Sequence, residues 1–300
     1  MRSFLNIFIL MLIYYANNAF ADIKSPNVGE QAMIENLRLA INQDTNLKNK
    51  KIIIGAGNSG CKAFQERHAV DEIRLLLTWQ WLEEMEKLKP DTIIVAPKHA
   101  IDKNFHKMKK NIKLITIDGV LHSKNLSNIQ KENSDLIDKG TEIIVMLGGD
   151  TEQQNGKWKL YNEKMANILI KKLPKNQNIL ILNGPRTGKH RIDNGAIVID
   201  EAAHKTSTDY VTEFVLNNSK DNKFWKIEDF RFAEKSLWGP ALKFCVNNPK
   251  VILALPGEST SMISESLSLG IRPVIYKHKA MTKTSKKYVN SLIKEGLAIL

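Results

Sequence analysis

Short apolar runs alternate with amphipathic stretches along the first half of the chain. Runs rich in β-branched and apolar residues at 51–54, 92–96 and 114–117 predict strands. Apolar residues between about Ala69 and Leu88 recur at helical spacing and predict a helix, and the stretch from Val28 to Ile41 also suits a helix. This alternation of strands with helices predicts a parallel, doubly wound α/β sheet.

The same alternation restarts after a polar segment from Leu121 to Gly140. Strands are predicted at 142–147, 178–182, 251–255 and 273–276. Helices are predicted at 159–173, 207–217, 230–246, 261–269 and 286–297. The polar segment predicts a domain boundary, with one Rossmann-like domain at 22–135 and a second at 136–300.

Two loops in the second half follow predicted strands and carry candidate anion-binding groups. The paired glycines of Gly148-Gly149-Asp150-Thr151 permit a close backbone approach to a phosphate, although a plain turn explains them equally well. In the loop from Asn183 to His190, Arg186 is a better candidate for a bidentate phosphate contact than Lys189 or Arg191, which suit a solvated basic loop. Ligands of open α/β sheets bind beyond the carboxyl ends of the strands, so both loops are candidate sites.

A third loop of the second half opens a predicted helix. Ser259, Thr260 and Ser261 stand at its start, where unpaired backbone N–H groups and the positive end of the helix dipole suit phosphate. Glu265 lies four residues after Ser261 on the same helix face, where a carboxylate can accept both hydroxyls of a ribose. The alternative is a capping box that serves only the helix start. An earlier loop, Gly55 to Gly60, is also glycine-rich after a strand, but such a loop alone carries little weight.

The N-terminus has the pattern of a secretory signal peptide. Arg2 precedes an apolar run from Phe4 to Tyr15, and Ala19-Phe20-Ala21 supplies a small-x-small cleavage site before Asp22. The run is shorter than the roughly 20 residues of a membrane span. We therefore expect residues 1–21 to be removed and the mature chain to be periplasmic or secreted. The alternatives are an N-terminal membrane anchor and a segment that supplies the first strand of the fold.

The composition is ordinary for a globular protein, with 43% hydrophobic and 25% charged residues among 300. A formal net charge of +12 favours acidic partners, such as phosphate-bearing ligands, acidic proteins or anionic membrane surfaces. Nucleic acid is not expected, because no aromatic stacking pattern or known nucleic-acid-binding module accompanies the charge. Cys61 and Cys245 are too few for a disulfide framework or a zinc site and suit buried packing positions, while one disulfide between them stays open.

Several of these segments resemble the mitochondrial fission Elm family. Ser259 to Ser266 and Gly270 to Val274 resemble the family's DSVSMVSEA…TGKPV signature, and Tyr288 to Ala298 resembles its FHDSLIERGLA ending. Gly148-Gly149-Asp150 resembles its LLGG strand end, and Arg186-Thr187 resembles its SRRTP turn. The resemblance is therefore most specific in the last part of the chain.

The N-terminal part of the chain shows weaker similarity to this family, and three features depart from the family pattern. Val28 to Ala32 is similar to the family's N-terminal GHENQA loop. Glu258 stands where the family pattern has Asp, one arginine of the paired-arginine turn is absent, and an insertion follows that turn.

The resemblance implies a GT-B-like architecture, in which two Rossmann-like doubly wound domains face a cleft. The C-terminal domain of this architecture holds the nucleotide of a nucleotide sugar, and the matching acidic residue, Glu265, binds the ribose. The expected nucleotide-binding residues are Gly148, Gly149, Arg186, Thr187, Ser259, Thr260, Ser261 and Glu265. We expect no cofactor and no metal, because helix dipoles and Arg186 can stabilise a departing diphosphate.

Two functions are compatible with the sequence. The first is a glycosyltransferase-like enzyme that uses a nucleotide sugar, with Glu30, His68 or Asp150 as the base that activates the acceptor hydroxyl. The second is an exported binding protein that kept the fold without the reaction and contacts an acidic partner or membrane surface through a basic C-terminal region. A nucleoside diphosphate is the expected ligand of the first.

Overall fold

The structure is a computed structural model, and it describes residues 20–22, 51–66, 72–78, 82–90, 92–117, 119, 126–153, 156–200, 207–232 and 236–300. The chain divides into two compact units, Met1–Ser123 (the first unit) and Lys124–Leu300 (the second unit). This division lies within the polar segment that predicted a boundary, before the predicted limit at 135. Each unit contains a five-stranded parallel sheet, so the predicted α/β class with parallel, Rossmann-like sheets is confirmed.

The first unit pairs its described strands in the order of the chain, so its sheet lacks the reversal of the doubly wound order that was predicted for this half. The strands are β1 (Phe20–Asp22), β2 (Lys51–Ala56), β3 (Glu72–Leu77), β4 (Thr92–Pro97) and β5 (Lys113–Ile117). All neighbours are parallel. Helix α1 (Gly57–Glu66) follows β2, and 3-10 helices occupy Glu83–Lys87, Lys98–Ala100 and Lys103–Lys107. The three strands predicted in this half are confirmed.

The helix predicted from Ala69 to Leu88 is wrong, because part of this stretch is strand β3. Leu75 and Leu77 pack into the apolar cluster on one face of the sheet, whereas Leu76 packs into the cluster on the other face. Since both faces are buried at this end of the strand, Leu75 to Leu77 form a continuous apolar run without the alternation of a half-buried strand. Such a run has no periodicity that distinguishes it from a buried helix.

The second unit contains the remaining described strands. They are β6 (Ile143–Met146), β7 (Thr151–Glu152), β8 (Trp158–Lys159), β9 (Ile179–Leu182), β10 (His190–Asp193), β11 (Ala196–Ile199), β12 (Trp225–Glu228), β13 (Ile252–Pro256) and β14 (Val274–Tyr276). The parallel sheet has the order β12-β9-β6-β13-β14, and β7–β8 and β10–β11 form separate antiparallel pairs. If these five strands are numbered 1 to 5 by their order in the chain, their order in the sheet is 3-2-1-4-5. This is the order of a doubly wound Rossmann fold, and it reverses between β6 and β13.

Helices lie on both faces of this sheet. They are α2 (Leu126–Ile129), α3 (Glu163–Ile170), α4 (Tyr210–Ser219), α5 (Trp238–Asn247), α6 (Thr260–Ser268) and α7 (Lys283–Lys294), with a 3-10 helix at Ser134–Leu136. Alternate residues of a strand point to opposite faces. Ile144 and Met146 accordingly pack with α2, α5, α6 and α7, whereas Ile143 and Val145 pack with α3 and α4.

Two elements of the second unit differ from their predictions. The helix predicted from Phe230 begins only at Trp238, with Pro240 in its first turn, where a missing N–H is tolerated. Strand β12 was not predicted, since it is a short edge strand of alternating apolar and charged residues, partly exposed along its length. The other strands and helices predicted for this half are confirmed, with ends that shift by a few residues.

The hairpin β10–β11 was also not predicted. Its turn consists of Asn194 and Gly195, whose positive φ angles of 47° and 81° match a type I′ turn. Ile192, Ile197 and Ile199 are 69%, 44% and 54% exposed. These three side chains share one face, because Ile192 pairs with Ile197 and His190 pairs with Ile199.

The N-terminal predictions lie mostly outside the described residues. These include the apolar run of the expected signal peptide and the helix from Val28 to Ile41. Strand β1 pairs with β2, with Phe20 opposite Ile52, so the expected cleavage before Asp22 would remove two residues of this strand. Among the described residues, no helix is both long enough and apolar enough to span a membrane.

Both cysteines are buried free thiols, as their surroundings predicted. Cys61 packs in the core of the first unit and Cys245 in the core of the second. Burial raises the pKa of each thiol to about 12. Each thiol is therefore protonated at neutral pH and serves as an apolar packing group.

Candidate functional site

Three predicted loops meet at the carboxyl edge of the sheet in the second unit. They follow β9, β6 and β13, which are neighbours in that order. The N–H of Asp150 donates to the carbonyl oxygen of Arg186 at 2.9 Å, which joins the first two loops. The N–H of Gly149 donates to Oε1 of Glu258 at 2.6 Å, which joins the loops after β6 and β13. The second contact crosses the point where the strand order reverses, and ligands of doubly wound folds bind there.

The paired glycines are required because other groups approach them closely. A Cβ on Gly148 would lie 2.5 Å from the ring of Tyr161, which is fully buried. A Cβ on Gly149 would lie 2.7 Å from Cβ of Arg186. The glycines therefore let the loop pass between a buried ring and the neighbouring loop, and this leaves the Gly149 N–H directed at an anion.

That anion is the carboxylate of Glu258. Its Oε1 accepts the Gly149 N–H, and its Oε2 accepts a hydrogen bond from Nε2 of His278. The side chains of Glu258 and His278 are 7% and 5% exposed. The His278 ring packs edge-on against Tyr161, with centroids 5.0 Å apart. Among the described residues, no group hydrogen-bonds Nδ1 of His278, which is buried.

Helix α6 begins two residues after Glu258, and its first turn has no side-chain cap. Ser259 is the N-cap residue, and its side chain makes no cap hydrogen bond within the described part of the chain. The capping-box alternative is therefore wrong. Ser261 is exposed, whereas Ser259 and Thr260 are half-buried. The first N–H groups of a helix lack intrahelical partners, so this nine-residue helix offers donors and a positive dipole end at the switch point.

Glu265, the expected ribose ligand, lies one turn into α6 and is 9% exposed. Its Oε2 accepts a hydrogen bond from Nε1 of Trp238 on helix α5. This contact ties the Glu265 side chain of α6 to helix α5. Glu265 is thus positioned beside the predicted phosphate-binding turn, with one oxygen bound to the indole.

Asp150, one of the three base candidates, is fully buried. Its Oδ1 accepts the N–H of Tyr161, and its Oδ2 accepts the N–H of His190, both at 2.8 Å. Nδ1 of His190 lies 3.2 Å from Oδ2, and Trp158 stacks on the His190 ring at 4.0 Å. Burial raises the pKa of Asp150, and the hydrogen bonds from His190 and Tyr161 offset only part of that rise. These contacts give Asp150 an anchoring role between two loops. Glu30 and His68 lie outside the described residues.

Arg186 and Thr187 form the turn after β9 and differ in exposure. The Arg186 side chain is exposed and accessible to a ligand. Thr187 is buried, and its Oγ1 accepts the N–H of Gly184 at 3.1 Å. The carbonyl oxygen of Thr187 accepts a hydrogen bond from Nη2 of Arg231 at 3.1 Å. Thr187 is therefore a structural residue of the turn, while Arg186 can contact phosphate.

Arg231 belongs to a buried ionic network that the sequence did not predict. Its Nη1 lies 2.8 Å from Oδ2 of Asp209 and 2.9 Å from Oδ1 of Asp229. Nδ2 of Asn183 donates to Oδ1 of Asp229 at 2.9 Å and to Oγ1 of Thr212 at 2.8 Å. The network ties the ends of β9 and β12 to the start of α4, and through Arg231 it fixes the turn that carries Arg186.

The glycine-rich turn of the first unit carries a further spacing pattern. Gly55, Gly57 and Gly60 have the G-x-G-x-x-G pattern of dinucleotide-binding turns and join β2 to α1. A Cβ on Gly60 would lie 2.6 Å from the carbonyl carbon of Gly55, so the third glycine lets the helix pack on the strand. That fingerprint also needs an acidic residue after the second strand, whereas β3 is followed by Thr78.

We expect Gly60→Ala to destabilise the first unit by about 1–3 kcal/mol, because backbone atoms at this contact have little room to move. Denaturant unfolding followed by far-UV circular dichroism measures the change. The control is Ser59→Ala on the same turn, which loses only a 3.3 Å hydrogen bond from Oγ to the Ala56 carbonyl. Equal stability of Gly60→Ala and Ser59→Ala would contradict the packing role of Gly60.

Comparison with known proteins adds no assignment to this geometry. Among the described residues, no group of three or more His, Cys, Asp or Glu side chains is placed to hold a metal ion. No protein-family model matches the sequence. A search of curated proteins likewise found no match.

Proposed function

We propose that the second unit binds a nucleoside diphosphate, and that the protein is a nucleotide-sugar-dependent glycosyltransferase of GT-B-like architecture. The observation that carries the proposal is the Gly149 N–H, which already holds a carboxylate beside the uncapped start of α6. Both groups lie where the strand order of the sheet reverses. A backbone donor and a helix N-terminus at a switch point form the usual binding site for a nucleotide's phosphates.

Each group at this edge has a part in the proposed complex. The Gly149 N–H and the first turn of α6 donate to the phosphate oxygens, and the exposed Arg186 side chain adds a charged donor. Glu265, one turn further along α6, supplies the carboxylate that accepts the ribose hydroxyls. In sugar transfer these donors stabilise the departing diphosphate, while a base on the acceptor side removes the hydroxyl proton.

The test is thermal unfolding with UDP, GDP, ADP or CDP. A ligand at 100 times its Kd stabilises a folded protein by about 2.7 kcal/mol, and each kcal/mol raises the Tm of a domain of this size by roughly 2–4 °C. We expect one of the four at millimolar concentration to raise the Tm by several degrees. No shift with any of them would contradict the proposal.

Glu265→Gln is the matched variant for this test. A glutamine side-chain oxygen can still accept the Trp238 N–H, so the fold is retained, whereas the charge that favours ribose hydroxyls is lost. We expect the Tm shift with the preferred nucleotide to shrink in this variant while the Tm without ligand stays close to that of the wild type. An unchanged Tm shift would show that Glu265 does not contact the nucleotide.

A second candidate function rests on the basic surface at the end of the chain. Seven basic side chains of this region are exposed, namely Arg272, Lys277, Lys279, Lys283, Lys286, Lys287 and Lys294. Such a surface suits an exported binding protein that contacts an acidic partner or anionic lipid. Binding to phosphatidylserine vesicles that disappears at high salt would support this function over catalysis.

A further inference from the structure

The anion position at the switch point is filled by the protein itself. Glu258 precedes Ser259, the N-cap residue of α6, yet its side chain does not cap that helix. It reaches across to the loop after β6, where Oε1 accepts the Gly149 N–H at 2.6 Å. The carboxylate therefore holds the only hydrogen that Gly149 can donate, and a ligand phosphate must compete for the same donor.

We propose that Glu258 determines the ligand specificity of this site, so that diphosphates bind and single phosphates are excluded. The inference rests on the proposed nucleotide-binding function and names the class of ligand that the site accepts. A ligand oxygen takes the position of Oε1 only after the carboxylate has moved away. One phosphate group gains too few contacts to offset this displacement, whereas a diphosphate also engages the first turn of α6.

Electrostatic repulsion adds to the competition between a ligand phosphate and the Glu258 carboxylate for the Gly149 N–H. A phosphate and a carboxylate repel each other at short range, and the repulsion is strong where burial keeps water away. The Glu258 side chain is 7% exposed, so solvent screens it weakly. A ligand that leaves Glu258 in place therefore meets an unfavourable neighbour, and one that displaces it must offset the hydrogen bond that Glu258 loses to Gly149.

His278 can hold the Glu258 carboxylate after a ligand has displaced it from Gly149. Nε2 of His278 is hydrogen-bonded to Oε2 of Glu258, the oxygen that does not contact Gly149. Combined rotations about the side-chain bonds of Glu258 can withdraw Oε1 from Gly149 while Oε2 keeps its contact with His278. The His278 ring is fixed between Tyr161 and Tyr276, with centroids 5.0 Å and 6.0 Å away. The displaced carboxylate thus keeps a partner, which permits exchange with a ligand.

The experiment compares inorganic phosphate, pyrophosphate and the four nucleoside diphosphates by isothermal titration calorimetry. The proteins are the full-length wild type, Glu258→Gln and Glu258→Ala, with Glu213→Gln on the exposed face of α4 as the charge-matched control. Glu258→Ala is included because a glutamine can still occupy the space beside Gly149. Thermal unfolding without ligand checks that each variant is folded.

We expect both Glu258 variants to bind inorganic phosphate at least tenfold more tightly than the wild type, and the preference for pyrophosphate over phosphate to fall. The control should bind as the wild type does. The inference is overturned if both folded variants bind phosphate no more tightly than the wild type. It is also overturned if none of the proteins binds phosphate.

The two proposals fail in different ways. If the wild type binds a nucleoside diphosphate but the variants gain no affinity for phosphate, Glu258 is not the specificity determinant and the proposed function stands. If the variants gain phosphate binding but no protein binds a nucleoside diphosphate, the anion site is real and the proposed nucleotide function is wrong.

Discussion

Arg231→Met is expected to destabilise the second unit by about 3–5 kcal/mol, because it leaves buried carboxylates without their cation. The Arg231 and Asp209 side chains are 4% and 0% exposed, and Asp229 is 8% exposed. Methionine fills much of the space of the arginine stem but supplies no charge and no donors. Denaturant unfolding at neutral pH measures the change.

The effect of Arg231→Met should depend on pH. Burial alone would raise the pKa of Asp229, but hydrogen bonds from Asn183 and Arg231 outweigh it and hold that pKa below its usual value. A carboxyl group with a lowered folded pKa stabilises the protein above its unfolded pKa of about 3.9. That stability is lost as the pH falls through the folded pKa. The difference between variant and wild type should therefore be largest near pH 7 and shrink below about pH 4.

The control for this prediction is Arg191→Met on the hairpin. The Arg191 side chain is 56% exposed, and its Nε lies 3.9 Å from Oδ2 of Asp200. Exposed pairs contribute about 0–1 kcal/mol. A comparable loss in Arg191→Met and Arg231→Met would mean that the buried network has no special role.

Gly148→Ala is expected to destabilise the second unit by about 3 kcal/mol or more. The new Cβ would lie 2.5 Å and 2.6 Å from two ring carbons of Tyr161. This ring is fully buried and packs against the core beside α3, so it cannot move aside without disturbing its neighbours. Calorimetric Tm values of the variant and the wild type measure the loss.

Gly184→Ala is the matched control for Gly148→Ala. A Cβ at Gly184 would meet no atom within 4 Å, although this glycine follows a neighbouring strand of the same sheet. We expect its stability to stay within about 0.5 kcal/mol of the wild type. If Gly148→Ala is as stable as Gly184→Ala, the close approach of Tyr161 does not explain the glycine.

The sequence predicted the buried strands well because they combine a β-branched run with a turn residue at each end. Strands at 142–147, 178–182 and 251–255 were placed in this way and lie within a residue or two of their predicted ends. The prediction failed for β3, because a run that is buried on both faces has no alternation of apolar and polar residues. The prediction missed β12, because this partly exposed edge strand is too polar to be distinguished from a loop.

The position of the site was predictable, but its internal contacts were not. Loops after parallel strands meet at one edge of the sheet, so the order of strands and helices was enough to select the turns at Gly149, Arg186 and Ser259. The pairing of Glu258 with Gly149 joins residues 109 positions apart, and that of Asn183 with Asp229 joins residues 46 apart. No local pattern records such pairs, because they depend on which strands become neighbours.

The position of β6 at the centre of its sheet also affects how the chain can fold during synthesis. β6 can pair with β9 soon after both have been made, but its other edge waits for β13. With Gly149 and Glu258 109 residues apart, translation at 5–20 residues per second leaves that edge uncovered for roughly 5–20 s. An open strand edge can pair with another chain, so this interval is when the nascent protein is most exposed to aggregation and most dependent on chaperones.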